Sequence, residues 1–278
     1  MIDVYEKYWN LREAPFVNSY NPRLLYLSSQ FEEGVARLFY LVSEGRVAGV
    51  LTGRFGMGKS FLLSNLTERI AQAGIPFIRI DAIPKGHLAL LRHVISGLGV
   101  KGTVASIADG LMTLQELSRK PGALKHHAIL IDEAQYLGDD DGLYLIHYLS
   151  NLRLTSADGR EQQLATVIMT GIPELLDMVR SYQSLRARVQ LTWTLAPLTQ
   201  SETIEFVQHK VMAAGGDMWI FNHEALSELY RISGGVPRSI TNICDTALML
   251  GYVAKAPEID AAIVQQAAED VDILPKEG

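Results

Sequence analysis

Residues 47–63, VAGVLTGRFGMGKSFLL, constrain the fold more than any other part of the chain. A short apolar run meets a glycine-rich turn, and the turn meets a segment with helical spacing. The turn, Gly53 to Ser60, fits the phosphate-loop pattern G-x-x-x-x-G-K-[ST]. Such a loop works between a strand and a helix. Its backbone N–H groups turn inward around phosphate oxygens, and the helix N-terminus adds its partial positive charge. The candidate cradle is therefore Gly53, Phe55, Gly56, Met57, Gly58, Lys59, Ser60 and Phe61. Lys59 is placed to reach the outer phosphates, and Ser60 to offer its hydroxyl to Mg²⁺.

Four more stretches read as strands: PFIRIDA (76–82), AILIDEAQ (128–135), ATVIMTG (165–171) and LTWTL (191–195). Helical stretches such as HLALLRHVISGL and GLYLIHYLSNLRL separate them, and the helix after the loop is expected to stop at Gly74. Strands alternating with helices imply βαβ units and a parallel sheet covered on both faces. From Thr199 onwards only helices are expected. Thr199 and Glu202 have capping-box spacing, Gly215 and Gly216 supply a stop, and Pro237 suits a first helical turn. The expected organisation is an α/β domain over 1–196 and a small helical domain over 197–278. Ser29 and Glu32 form another capping box, and the turn-rich NSYNPRLLYL before it is expected to wrap the sheet.

A phosphate loop needs a carboxylate on a neighbouring strand. Asp132 stands where ILI ends, placed to hold Mg²⁺ through water; Glu133 can orient and deprotonate an attacking water. Thr170 closes the strand ATVIMTG at the edge where α/β sheets bind ligands. Its hydroxyl is either an ordinary strand hydroxyl or a contact to the water or the terminal phosphate. Arg186 and Arg188 precede the last strand, and Arg238 opens a helix; each taken alone reads as a surface residue. His126 and His127 have no partner at metal-ligand spacing and read as solvated, as do Asp139, Asp140 and Asp141 in their glycine-flanked loop.

Composition narrows the partners. A net charge of −6 argues against a surface that grips nucleic acid as a whole. The longest apolar runs fall far short of the roughly 20 residues a bilayer span needs. No secretory leader is visible at the start, and Cys244 is the sole cysteine, which fits a reducing compartment. A soluble cytoplasmic protein is expected.

FGMGKS, LIDEAQYL, MTGIPEL, LRARV with LAPL, and GGVPRSITNICDTAL occur in one order, after an opening WNLREAPF with NPRLLYLSSQFEEGVARL. In this the chain resembles AAA+ ATPases of the general secretion pathway protein A type, from about Tyr8 to Asp272. Similar ATPases serve pilus biogenesis and exosortase-linked export; a looser relative is the ATP-binding regulator of transposition. The resemblance implies an AAA+ core with a helical lid, ATP and Mg²⁺ as cofactors with ATP held between core and lid, and assembly into a ring or arc. It implies roles for four residues: Arg188 as the arginine acting on a neighbour's nucleotide, with Arg186 in reserve; Arg238 as the lid's sensor arginine; Thr170 as the first sensor. The implied activity is ATP hydrolysis driving a protein machine in secretion or pilus biogenesis. The implied partner is an unidentified protein, a membrane-complex subunit among the candidates. The alternative is a DNA-bound regulator of the transposition type, for which RKPGALKHH (119–127) is the basic segment available. Two departures stand out. Lys210 occupies a lid position where arginine is expected, read as a surface change. The family's membrane helix and peptidoglycan-binding part have no counterpart here, so their functions are not carried over.

Overall fold

The computed structural model describes residues 5–81, 86–120, 122–138, 140–155 and 159–271. The chain forms α1 (Ser29–Ser43), β1 (Ala48–Thr52), α2 (Lys59–Gln72), β2 (Phe77–Ile80), α3 (His87–Gly97), α4 (Ile107–Ser118) and β3 (His127–Ile131). There follow α5 (Asp140–Leu149), β4 (Arg153–Thr155), β5 (Glu161–Gln163), β6 (Ala165–Gly171), α6 (Glu174–Ser181), α7 (Gln183–Arg186) and β7 (Val189–Thr194). The last elements are α8 (Gln200–Ala213), α9 (His223–Ser233), α10 (Pro237–Ala254) and α11 (Ala261–Asp270).

Five strands form one parallel sheet in the order β2-β3-β6-β1-β7. The three central strands are buried at every residue, AGVLT, HAILI and ATVIMTG, as expected where helices cover both faces. The outer strand β7 instead alternates half-buried and exposed residues. Register aligns the strand ends: Thr52 of β1 pairs with Gly171 of β6 and with Thr194 of β7, and Ile131 of β3 pairs with Met169 of β6. Whatever follows β1, β3 and β6 therefore emerges on one edge of the sheet.

The five sheet strands match the sequence expectation. The stretch GLYLIHYLSNLRL does not, because its helix ends at Leu149 and Arg153–Thr155 pairs antiparallel with Glu161–Gln163. Ser150 and Asn151 break the helix: Ser150 Oγ donates to the His147 carbonyl at 2.7 Å, and the Asn151 amide to Tyr148 at 3.0 Å. The two histidines at the start of β3 are not solvated either. His127 is buried with Nδ1 2.8 Å from the Lys125 carbonyl, and half-buried His126 sets Nδ1 3.0 Å from the Gln163 carbonyl. Asp139 lies outside the described residues.

Contacts divide the chain into two units, one holding the sheet and its helices, the other α8–α11. The N-terminal stretch through Ser29 groups with α8–α11, not with the sheet as expected. Trp9 Nε1 donates to the Leu248 carbonyl at 2.9 Å, and the Arg12 amide to Ala214 at 2.8 Å. Phe16 meets Phe221 edge to face with ring centroids 5.9 Å apart. Tyr5, Trp9, Leu11, Phe16 and Leu24 share one core with the buried faces of α8–α11. A helical unit of this size closes its core poorly alone, and these aromatics supply the missing apolar surface. The turn-rich stretch has no period, so its sequence carried no sign of which core it would join.

Within that unit the Thr199–Glu202 capping box forms in both directions, and Pro237 starts α10. Lys210 corrects another expectation. It is 5 % exposed, with its ammonium 5.2 Å from the Phe206 ring centre, so it is a core residue and not a surface change.

Candidate functional site

The loop Gly53–Ser60 leaves the buried strand β1 and enters α2, whose first turn carries no acidic residue. The Gly53 amide donates to the Gly171 carbonyl at 3.2 Å, which ties the loop to the end of β6. Gly56 and Gly58 adopt φ of 80° and 90°, a region that glycine enters without strain, and this turns the backbone around a concave loop. Beside the position a Cβ would take on Gly58 there is open space to 4 Å. Lys59 is buried; its ammonium donates to the Gly53 carbonyl at 2.8 Å and the Arg54 carbonyl at 3.3 Å, and lies 5.7 Å from the Phe55 ring centre. Met57 is buried, whereas Phe55 and Ser60 are exposed and Phe61 is half-buried.

Asp132 follows β3 and is buried. Its Oδ1 accepts from the Glu133 amide at 3.0 Å and from the fully buried Thr170 hydroxyl, so β3 and β6 meet at this carboxylate. Glu133 is half-buried and left-handed, φ 50° and ψ 44°, at the start of the 3₁₀ turn Ala134–Leu137. The pattern reading of the sequence missed Gln135. Its Nε2 donates to Glu133 Oε2 at 2.5 Å, and its Oε1 accepts from the Ile172 amide at 3.4 Å. The available signal was a polar side chain two residues past the carboxylate pair in DEAQ.

Thus the loop, Asp132, Glu133 and Thr170 come together on one sheet edge, and the two arginines before β7 do not. Val189 pairs with Ala48 at the opening of β1, so Arg186 and Arg188 sit at the opposite strand ends from the loop, roughly 17 Å along the strand direction. Arg186 is exposed at the end of α7. Arg188 is half-buried, and its Nε is buried without a hydrogen-bond partner among the described residues. Burial, and then the Arg188 charge, push the nearby His147 imidazole below its ordinary value. In the other unit, Arg238 is an exposed residue of the first turn of α10, and its amide donates to the Gly56 carbonyl at 3.1 Å; residues Gly56–Gly58 group with that unit. In the basic stretch 119–127, Arg119, Lys120 and Lys125 are exposed while Leu124 and His127 are buried.

Residues 42–179 match the family model described as AAA domain. The chain carries an AAA domain. The phosphate-loop pattern and the DEAQ stretch both lie inside the matched residues, which make up just under half of the chain. The chain is 30 % identical to the general secretion pathway protein A of Aeromonas hydrophila, over 99 % of this chain and 50 % of that protein. It spans about half the length of the curated relative it matches. Among solved structures the AAA fold recurs in Aeropyrum pernix ORC2 in its ADPNP and ADP complexes, at a TM-score of 0.66 and 15 % identity, covering 93 % of this chain and 71 % of that one. Drosophila ORC bound to DNA matches at 0.67 and 17 %, covering 94 % and 65 %. Domain III of Thermotoga maritima DnaA matches at 0.60 and 15 %, covering 93 % and 100 %.

The chemistry of the AAA domain's loop suits a nucleotide, since backbone amides at a helix N-terminus and a buried ammonium address phosphate oxygens. Its oxygen donors, the Ser60 hydroxyl and the Asp132 carboxylate, suit a hard cation that keeps phosphate and water ligands. Among the described residues no group of three or more His, Cys, Asp or Glu forms a metal site, and no helix is long and apolar enough to cross a membrane.

Proposed function

We propose that the chain binds ATP with Mg²⁺ at Gly53–Ser60, hydrolyses it, and uses the cycle to assemble or remodel a protein machine of the secretion or pilus type. The observation that carries the chemical half is the Thr170–Asp132 hydrogen bond, which joins the carboxylate pair to the strand whose Gly171 carbonyl receives the loop's first amide. On this reading the loop amides and Lys59 hold the phosphates, with Lys59 exchanging its Gly53 and Arg54 carbonyls for phosphate oxygens. Ser60 and Asp132 hold Mg²⁺, which when bound neutralises charge on the phosphate oxygens. Glu133 takes the proton of the attacking water. Thr170, which donates to Asp132, keeps that carboxylate aimed. Arg238 senses the terminal phosphate from the start of α10. The machine half rests on the likeness to the secretion protein, and with it go self-association into a ring or arc and a cytoplasmic location, with a membrane-complex subunit as candidate partner.

ATP turnover and nucleotide affinity, measured on the same samples, test the chemical half. Lys59→Ala weakens nucleotide binding itself. Glu133→Gln keeps the affinity and loses turnover by about 10²-fold or more, because the amide cannot accept the proton. Full turnover by Glu133→Gln removes the carboxylate from the mechanism, and unchanged affinity in Lys59→Ala removes the loop. A DNA-stimulated regulator is the second reading, favoured by the exposed Arg119, Lys120 and Lys125 alone.

A further inference from the structure

Glu133 has an unusual backbone for a residue asked to be precise. A left-handed conformation costs an L-residue on the order of 1 kcal/mol, so its surroundings must hold it there. Two backbone bonds do so: its amide donates to Asp132 Oδ1 at 3.0 Å, and its carbonyl accepts from the Tyr136 amide at 3.0 Å. Neither bond fixes the carboxylate. That side chain has one hydrogen-bond partner among the described residues, the Gln135 amide nitrogen on Oε2.

Gln135 is itself anchored at its other end. Its Oε1 accepts from the Ile172 amide, which decides the orientation of the side-chain amide and turns Nε2 toward Glu133. The approach requires glycine at 171, since a Cβ there would fall onto Gln135 Oε1 and within 2.9 Å of Leu175 Cδ2. The end of β6 thus reaches both acids, Asp132 through the Thr170 hydroxyl and Glu133 through the Gln135 amide.

We infer that Gln135 is a positioning residue for the hydrolytic step: anchored on Ile172 beside Gly171, its amide holds one oxygen of Glu133 and leaves the other, Oε1, to take the proton of water. The inference rests on the proposed role of Glu133. It differs from a packing role for Gln135 because only the orientation of Glu133, and so only the chemical step, depends on the amide. A misplacement of about 1 Å at a reacting group costs on the order of 10²-fold in rate.

The test compares Gln135→Met, which keeps length and volume, with Gln135→Glu, which keeps shape and places a second carboxylate against the first. Each is made alone and in the Glu133→Gln background, with single-turnover ATP hydrolysis, ATP affinity and thermal midpoint measured on every protein. Both single variants are expected to lose about tenfold to a hundredfold in the hydrolysis rate at unchanged ATP affinity. In the Glu133→Gln background neither adds a further loss, because residues acting as one unit are not additive. Wild-type rates in both variants overturn the inference, and so does a further multiplicative loss in the Glu133→Gln background. If one variant fails to fold, the other carries the comparison. If Glu133→Gln itself hydrolyses ATP normally, the reading of Glu133 fails first and takes the inference with it; if Glu133→Gln is inactive and Gln135→Met is not, only the inference fails.

Discussion

Lys210 is charged in the unfolded chain but lies in an apolar core when folded, over the Phe206 ring and near the buried Cys244. Burial lowers its ammonium from 10.5 to about 8, with Cys244 opposing weakly. The folded state therefore resists the proton that the unfolded chain binds. The cost is fully present below about pH 8 and disappears as pH rises toward 10.5, so this residue makes stability climb with pH across that window. The difference corresponds to at most about 3 kcal/mol. Lys210→Met is expected to raise stability to urea by about 1–3 kcal/mol at pH 7, and the gain should shrink by pH 10. An equal gain at both pH values would show that packing, not charge, makes the difference. Sequence reading saw Lys210 only as an odd basic residue on a helix, since its burial depends on residues far along the chain. The loop residues were legible for the opposite reason. The positive φ of Gly56 and Gly58 and the start of α2 at Lys59 are set by immediate neighbours, and so is the place of Asp132 at a strand end. Gln135 was not legible, because its anchor, Ile172, lies 37 residues away.

At the scale of elements, α8 shows how a local signal becomes measurable structure. The Thr199 hydroxyl accepts from the Glu202 amide at 3.2 Å, and Glu202 Oε2 accepts from the Thr199 amide at 2.9 Å. Thr199→Ala leaves the Glu202 amide without its side-chain acceptor and is expected to cost about 1 kcal/mol. Glu202→Ala should cost less, and the double variant less than the sum, since each side chain orients the other. Strict additivity in urea unfolding would mean that the two bonds act independently. The same locality explains which elements could be read beforehand. The strands β1, β3 and β6 are continuous apolar runs ending at a turn or a charge, whereas β5 is Glu-Gln-Gln and acquires strand character only from pairing with β4. The N-terminal stretch, lacking any period, joins the helical unit through buried aromatic and leucine side chains.

At the scale of the whole molecule, the position of Arg188 bears on assembly. It precedes β7 at the strand end opposite to the loop, roughly 17 Å away along the sheet, so its guanidinium is badly placed for the phosphates bound by its own chain. Arg188 is half-buried, its Nε has no hydrogen-bond partner among the described residues, and burial and then its guanidinium push the nearby His147 imidazole below its ordinary value. If Arg188 acts on a phosphate, that phosphate belongs to a second copy of the chain, and the rate per subunit must rise with protein concentration. Turnover of the wild type is expected to climb with concentration, and Arg188→Ala should flatten that dependence while leaving ATP affinity unchanged. The exposed Arg186 supplies the control, since Arg186→Ala keeps the climb if Arg188 is the acting residue and loses it if the two were exchanged. A losing pattern in both would mean that the segment before β7 shapes the contact without either guanidinium reaching phosphate. The same titration repeated with duplex DNA separates the two functional readings. A climb that ignores DNA belongs to a self-assembling motor for a protein machine. A rate that stays low at every concentration until DNA is added belongs to the regulator, and would turn attention from the sheet's loop edge to Arg119, Lys120 and Lys125.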